Sequence, residues 1–254
     1  MTALFVLCAG AFFAGMVDAI VGGGGLIQVP LLFSVFPGMA PATLFGTNKL
    51  SSVWGTAFAA GRYGRRVRIP WRIAGTAAGA AVLASYMGAY AVALVPTHVL
   101  RPVILGLLVF VTAYTLFHKD FGLADVGRPR VRHERVWALG IGCTIGFYDG
   151  FFGPGAGTFL VFLFVRFVAL DFLRASATAK IVNVSTNLAA LSYFVPNGHL
   201  LWSYGLVMAL FNVAGSYCGS HLALRYGSGF VRKVFLGVAV LLIGKFAADT
   251  LVGT

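Results

Sequence analysis

Two aspartates and two lysines stand within otherwise apolar stretches of this chain. Asp18 lies in GMVDAIVGGGG and Asp149 in GFYDGFFGPGAG, while Lys49 lies in GTNK and Lys180 in ATAK. An ionisable side chain inside an apolar membrane span is costly, and it marks a functional site by default. Three roles are open to each aspartate: pairing with a lysine, capping a helix, or carrying a coupling proton. The lysines are read as opening the third segment of each half, where a cation opposes the helix macrodipole. Each is then compensated by an anion or a carboxylate, or else snorkels to the headgroups.

Each aspartate stands four residues before a glycine-rich run: Gly22, Gly23, Gly24 and Gly25 in one case, Gly153, Pro154, Gly155, Ala156 and Gly157 in the other. Glycine and proline in such numbers argue against a continuous helix. Each run therefore predicts two helical arms joined by a break at depth. Backbone at a break must line protein or water, because lipid cannot satisfy it, and a helix N-terminus there favours an anion. The glycines form an anion cradle, or they only allow close helix packing, as the four-residue spacing of Gly142, Gly146 and Gly150 suggests.

The third segments add Asn48, Ser51, Ser52, Asn183, Ser185, Thr186 and Asn187, which line a pathway or bond helix to helix. Gln28 and Thr158, just past the breaks, are weaker candidates. The expected substrate-binding set is Gly22, Gly23, Gly24, Gly25, Asn48, Lys49, Ser51, Gly153, Gly155, Gly157, Lys180, Asn183 and Asn187. Asp18 and Asp149 serve for coupling or structural pairing. There is no P-loop, nucleotide fingerprint or metalloprotease motif. Neither a cofactor nor a metal nor an enzymatic activity is expected.

The elements that must hold these residues are membrane helices. Of 254 residues, 59% are hydrophobic and 10% charged, against about 25% charged in a soluble domain. The net charge of +12 does not point to nucleic acid, because the cations cluster between apolar runs. Cys8, Cys143 and Cys218 read as small packing residues. The N-terminus has no basic region before its apolar run and reads as a retained helix. Segments 71–95, 98–117, 201–224 and 231–252 reach the span length of about 20 residues. Segments 47–61 and 175–195 are shorter or more polar, and 3–36 and 135–169 carry the breaks.

Shifting the sequence by 131 positions superposes the two breaks without a gap. The same shift pairs Asp18 with Asp149, Lys49 with Lys180, Trp71 with Trp202 and Arg101 with Arg232. These residue types are rare here, so their coincidence at one offset signals an internal repeat. The halves are 1–117 and 132–254, joined by a polar, basic linker at 118–131. Loop 62–72 holds five arginines and its counterpart 193–203 holds no Lys or Arg. Loop 37–46 is uncharged, whereas its counterpart 166–177 carries Arg166 and Arg174. With basic loops in the cytoplasm, equivalent loops fall on opposite sides. The expected fold is an all-α polytopic membrane protein of two inverted repeats. Each has about five helical segments, the first two joined at the break, and both termini lie outside.

The paired motifs, Gly15–Gly25 with Gly46-Thr47-Asn48-Lys49, and Gly146–Gly157 with Ala179-Lys180, resemble those of the sulfite exporter TauE/SafE permeases. The resemblance covers nearly the whole chain. It implies a multi-pass permease of a bacterial-type inner membrane, moving sulfite, sulfoacetate or a similar organosulfur anion, as an exporter more often than an importer. Inverted repeats with broken helices are also the general pattern of secondary transporters. The expectation is therefore alternating access for a small anionic substrate, with membrane lipid as the other partner. A passive anion channel, a transporter of a lipid-carrier phosphate, and an intramembrane enzyme or assembly factor are the competing readings.

Overall fold

Glycine and proline punctuate a chain that is otherwise helical. The computed structural model describes residues 2–95 and 133–252. The first stretch holds α1 (Thr2–Val21), α2 (Gly25–Val35), α3 (Pro41–Arg66) and α4 (Trp71–Leu94). The second holds α5 (Glu134–Phe151), α6 (Ala156–Val168), α7 (Phe172–Phe194) and α8 (Trp202–Val252). No strand occurs among the described residues. The starts of α2, α3 and α4 recur 131 positions later as the starts of α6, α7 and α8. The expected segment 98–117 and linker 118–131 lie outside the described residues.

Three described helices are long and apolar enough to cross a membrane: Ala3–Val21, Trp71–Leu94 and Trp202–Val231. Helices α2 and α6 are apolar but short. Helices α3 and α7 have the length, at 26 and 23 residues. Their polar residues are buried, including Asn48, Lys49 and Ser51 on α3 and Lys180, Asn183 and Asn187 on α7. These two helices occupy the middle of the bundle and pack on each other, with α8 against α3 and α4 against α7. The polar groups thus face protein rather than lipid.

Several expectations need correction. Helix α3 begins at Pro41 rather than 47, and α7 at Phe172, close to the expected 175; Lys49 and Lys180 lie more than two turns inside their helices. They do not oppose the dipole of a helix start, and their compensation must come from the neighbouring helices. The starts have their own causes. Pro41 takes the first turn of α3, where its missing N–H is harmless. Asp171 caps α7, accepting from the N–H groups of Leu173 and Arg174, each at 3.0 Å. Asp171→Ala should therefore cost about 1 kcal/mol. An unfolding titration in SDS would show a lower midpoint, and an unchanged midpoint would sink the capping account. The expected loops 37–46 and 166–177 shrink, and Arg166 and Arg174 belong to α6 and α7. The expected division between helices 201–224 and 231–252 is present, since the helical backbone of α8 is broken into two helices at Gly227 (φ 71°, ψ −165°). Cys143 is exposed rather than packed, whereas Cys8 is buried.

Small residues bring the long helices together. Helix α1 lies along α8, and α4 along α5. A Cβ on Gly146 would lie 2.6 Å from the Cα of Ala81, and one on Gly15 would collide with the carbonyl of Asn212. These two contacts exchange places under the 131-residue shift. The expected packing role of Gly142 and Gly150 also holds, against Ala77 and Ser85.

The contacts set the directions of the helices. Ala11 meets Asn212 and Gly15 meets Ser216, so α1 runs parallel to α8. Thr47 meets Leu201 and Arg62 meets Tyr217, so α3 also runs parallel to α8. Tyr63 clusters with Ile73, and Phe45 with Val92, so α4 returns antiparallel to α3. Gly142 meets Ala77 and Gly150 meets Ser85, so α5 runs parallel to α4. Outward-facing Phe5, Leu83, Met87 and Leu210 form the apolar exterior. Trp71 and Trp202 are exposed at the starts of α4 and α8, where interface anchors belong.

Candidate functional site

The two breaks meet at the centre of the bundle. Helix α1 ends at Val21, and the chain turns through Gly22 at φ 84°; α5 ends at Phe151, and the chain turns through Gly153 at φ 94°. Only glycine takes this left-handed region without strain. The breaks also touch, since a Cβ on Gly157 would lie 2.6 Å from the Cα of Gly22. No side chain caps the start of α2 or α6. Leu26 and Ile27 at the start of α2 donate to the carbonyls of Gly23 and Gly24, and Ala156 at the start of α6 donates to that of Gly153, so the break backbone satisfies part of each first turn.

Beside the breaks, each lysine meets the aspartate of the other repeat unit. Lys49 Nζ lies 2.6 Å from Asp149 Oδ1, and Lys180 Nζ lies 3.2 Å from Asp18 Oδ2. Thr186 donates its hydroxyl to the second oxygen of Asp149. Thr56 donates to Asp18 Oδ2 at 3.2 Å. Of the three roles open to the aspartates, pairing is the one visible. The four charges sum to zero, as a group held among packed helices requires. The two pairs are not equal. Lys49 and Asp149 are almost sealed, with side chains 3% and 7% exposed. Lys180 is fully buried, but its partner Asp18 is 14% exposed.

A small cavity of about 30 Å³ opens where breaks and pairs converge, room for a water or two. Asp18, Gly22, Gly25, Asn48, Lys49, Gly153, Gly157, Asn183, Asn187 and Asp149 line it, all of them singled out from the sequence. Gly23, Gly24, Gly155, Ser51 and Lys180 do not line it. Gly24 and Gly155 instead precede α2 and α6, Ser51 is buried with its hydroxyl unpartnered, and Lys180 stands behind Asp18. Gln28, a weaker candidate, accepts from Asn212 at 3.2 Å away from the cavity. Among the described residues, the buried amide oxygens of Asn48 and Asn183 have no hydrogen-bond partner.

A profile of the Sulfite exporter TauE/SafE family matches residues 7–246. The chain belongs to that family. A "Probable membrane transporter protein YfcA" of Escherichia coli (strain K12) is 33% identical over 240 residues, covering 94% of this chain and 88% of the relative. A "Probable membrane transporter protein ORF9" of a Sinorhizobium species is 32% identical over 250 residues, covering 97% and 93%. A "Probable membrane transporter protein" of Haemophilus influenzae is 30% identical over 254 residues, covering 96% and 94%. No solved structure matches the chain. This TauE/SafE protein is thus a membrane transporter, and its relatives are named as transporters rather than enzymes.

Sequence reasoning missed Thr56 in the wall of this TauE/SafE cavity, left Ala156 out of the binding set, and gave Ser52 only the open choice between lining a pathway and bonding helix to helix. The repeat held the signal for all three. The 131-residue shift pairs Thr56 with Asn187, Ser52 with Asn183, and Gly25 with Ala156, and every one of these lines the cavity.

Proposed function

We propose that this transporter moves a small anion, sulfite or an organosulfur anion such as sulfoacetate, out across a bacterial-type inner membrane by alternating access. The observation that carries the reading is the cavity between two uncapped helix starts, with the crossed Lys–Asp pairs in and beside its wall. The helix starts favour negative charge without adding a net ion. Lys49 is the lysine in the wall. An anion entering there competes with Asp149 for it, so binding loosens a contact that ties the halves together. Gly22, Gly25, Gly153 and Gly157 let the anion reach the backbone, and Asn48, Asn183 and Asn187 supply amide contacts.

The halves are 1–117 and 132–254, inverted with respect to each other, with 118–131 as a cytoplasmic linker. The helix directions support this. Helix α1 runs with α8 and α3, α4 runs against α3, and α5 runs with α4, which sets α5 opposite to α1. Inverted halves around a midplane site are the usual frame for alternating access. A space as small as 30 Å³ also favours an occluded transporter over a passive channel.

The test is uptake of candidate anions by proteoliposomes, with Lys49→Ala and Lys180→Ala beside the wild type. Saturable uptake by wild type should fall to near background in both variants. Normal transport by both would end the central-anion reading.

A further inference from the structure

A second cavity lies at one end of the bundle, away from the breaks. It encloses about 370 Å³ between the last turns of α3 and the middle of α8, walled by Arg62, Arg65, Arg66, His221, Leu224 and Arg225. Among the described residues, no carboxylate lines it. Arg62 is held in place, donating to the Tyr217 carbonyl at 3.1 Å and lying 4.6 Å above the Tyr217 ring. The other three arginines are exposed. Four guanidinium groups around one hollow repel one another, and an anion between them removes that cost. Guanidinium forks match phosphate oxygens in pairs.

The approach to this hollow is apolar. Trp54 and Phe58 precede Arg62 at four-residue steps on α3, on one helix face. Both are exposed, and Phe58 meets the exposed ring of Tyr217 at 6.2 Å. Leu210, exposed on α8, stands two turns before Tyr217. Because α3 and α8 run parallel, a basic pocket caps an apolar, aromatic strip on the outer face of the bundle. We propose that this pocket holds the phosphodiester headgroup of an anionic diacyl phospholipid, whose acyl chains lie along Trp54, Phe58 and Tyr217. Free phosphate would satisfy the arginines but would leave the strip unexplained. The site is separate from the central cavity and does not depend on the transport reading.

Native mass spectrometry of the detergent-solubilised protein tests this, with dioleoyl phosphatidylglycerol, dioleoyl phosphatidylcholine and inorganic phosphate as probes. Wild type should retain phosphatidylglycerol in preference to phosphatidylcholine. The triple variant Arg65→Gln/Arg66→Gln/Arg225→Gln should weaken phosphatidylglycerol about a hundredfold, at roughly fivefold per arginine, and leave phosphatidylcholine unchanged. Should the triple variant fail to fold, the single variant Arg66→Gln carries the test, with an expected loss of roughly fivefold. Equal retention of the two lipids by wild type overturns the proposal. So does a folded variant that keeps full phosphatidylglycerol affinity. Displacement of phosphatidylglycerol by millimolar phosphate would assign the pocket to a soluble anion instead.

Discussion

Lys49→Met is expected to destabilise the protein by about 3–5 kcal/mol, the cost of leaving a buried ion without its partner. The 2.6 Å contact to Asp149 disappears, and among the described residues the carboxylate keeps only the Thr186 hydroxyl. Asp149 is 5% exposed, so the stranded carboxylate stays largely shielded from bulk solvent. Adding Asp149→Asn removes the stranded charge and should recover most of the loss, because a buried pair and a neutral pair of similar volume are often close in stability. The SDS-unfolding midpoints of wild type, both single variants and the double variant give the coupling energy directly. Simple additivity of the two single losses would sink the pairing account. The double variant should fold yet fail to transport, which separates the lysine's role in the site from its role in the fold. Lys180→Met should cost less, since Asp18 is more exposed and its contact is longer, at 3.2 Å.

Gly22→Ala should be more damaging than its size suggests. At φ 84° an L-residue pays about 1–2 kcal/mol in backbone strain alone. The new Cβ would also run into the backbone of Gly157 in the other break, and overpacking of that kind adds roughly 1–3 kcal/mol. Nothing at that point is a flexible side chain, so relief requires the two breaks to separate. Loss of the folded monodisperse species in detergent, or of transport in whatever remains folded, is the expected result. Gly79→Ala supplies the contrast. It lies inside α4, where a Cβ would meet no neighbour within 4 Å, so alanine should be neutral or stabilising by up to about 1 kcal/mol. Equal melting curves for the two variants would refute the account of the break.

The breaks, the long apolar helices and the 131-residue offset were legible in the sequence because each is a local or self-referring pattern. Gly22 and Gly153 announce themselves by glycine density, and Trp71–Leu94 by apolar length. The extent of α7, Phe172–Phe194, was legible to within three residues, but the full length of α3 and the interior placing of both lysines were not. The Asn, Ser, Thr and Lys residues of these two helices read as helix ends or loops in isolation, and only the neighbouring helices make them interior. The crossed pairing of Lys49 with Asp149 and Lys180 with Asp18 was open for the same reason. Offset alone relates Lys49 to Lys180, but it does not say which aspartate each will meet. Thr56 carried no intrinsic mark, and its equivalence to Asn187 in the repeat was the clue available.

The crossed pairs also bear on how the chain is made. Asp18 and Lys49 both enter the bilayer early in synthesis, yet neither finds its counter-charge until Lys180 and Asp149 have been translated. The first four helices must therefore wait, with an unmatched acid and an unmatched base, for the last ones to leave the ribosome. Contact between each buried charge and its partner is a property of the finished polypeptide alone. A chain truncated between the two units would carry a standing mark of incompleteness that quality-control proteases are able to read.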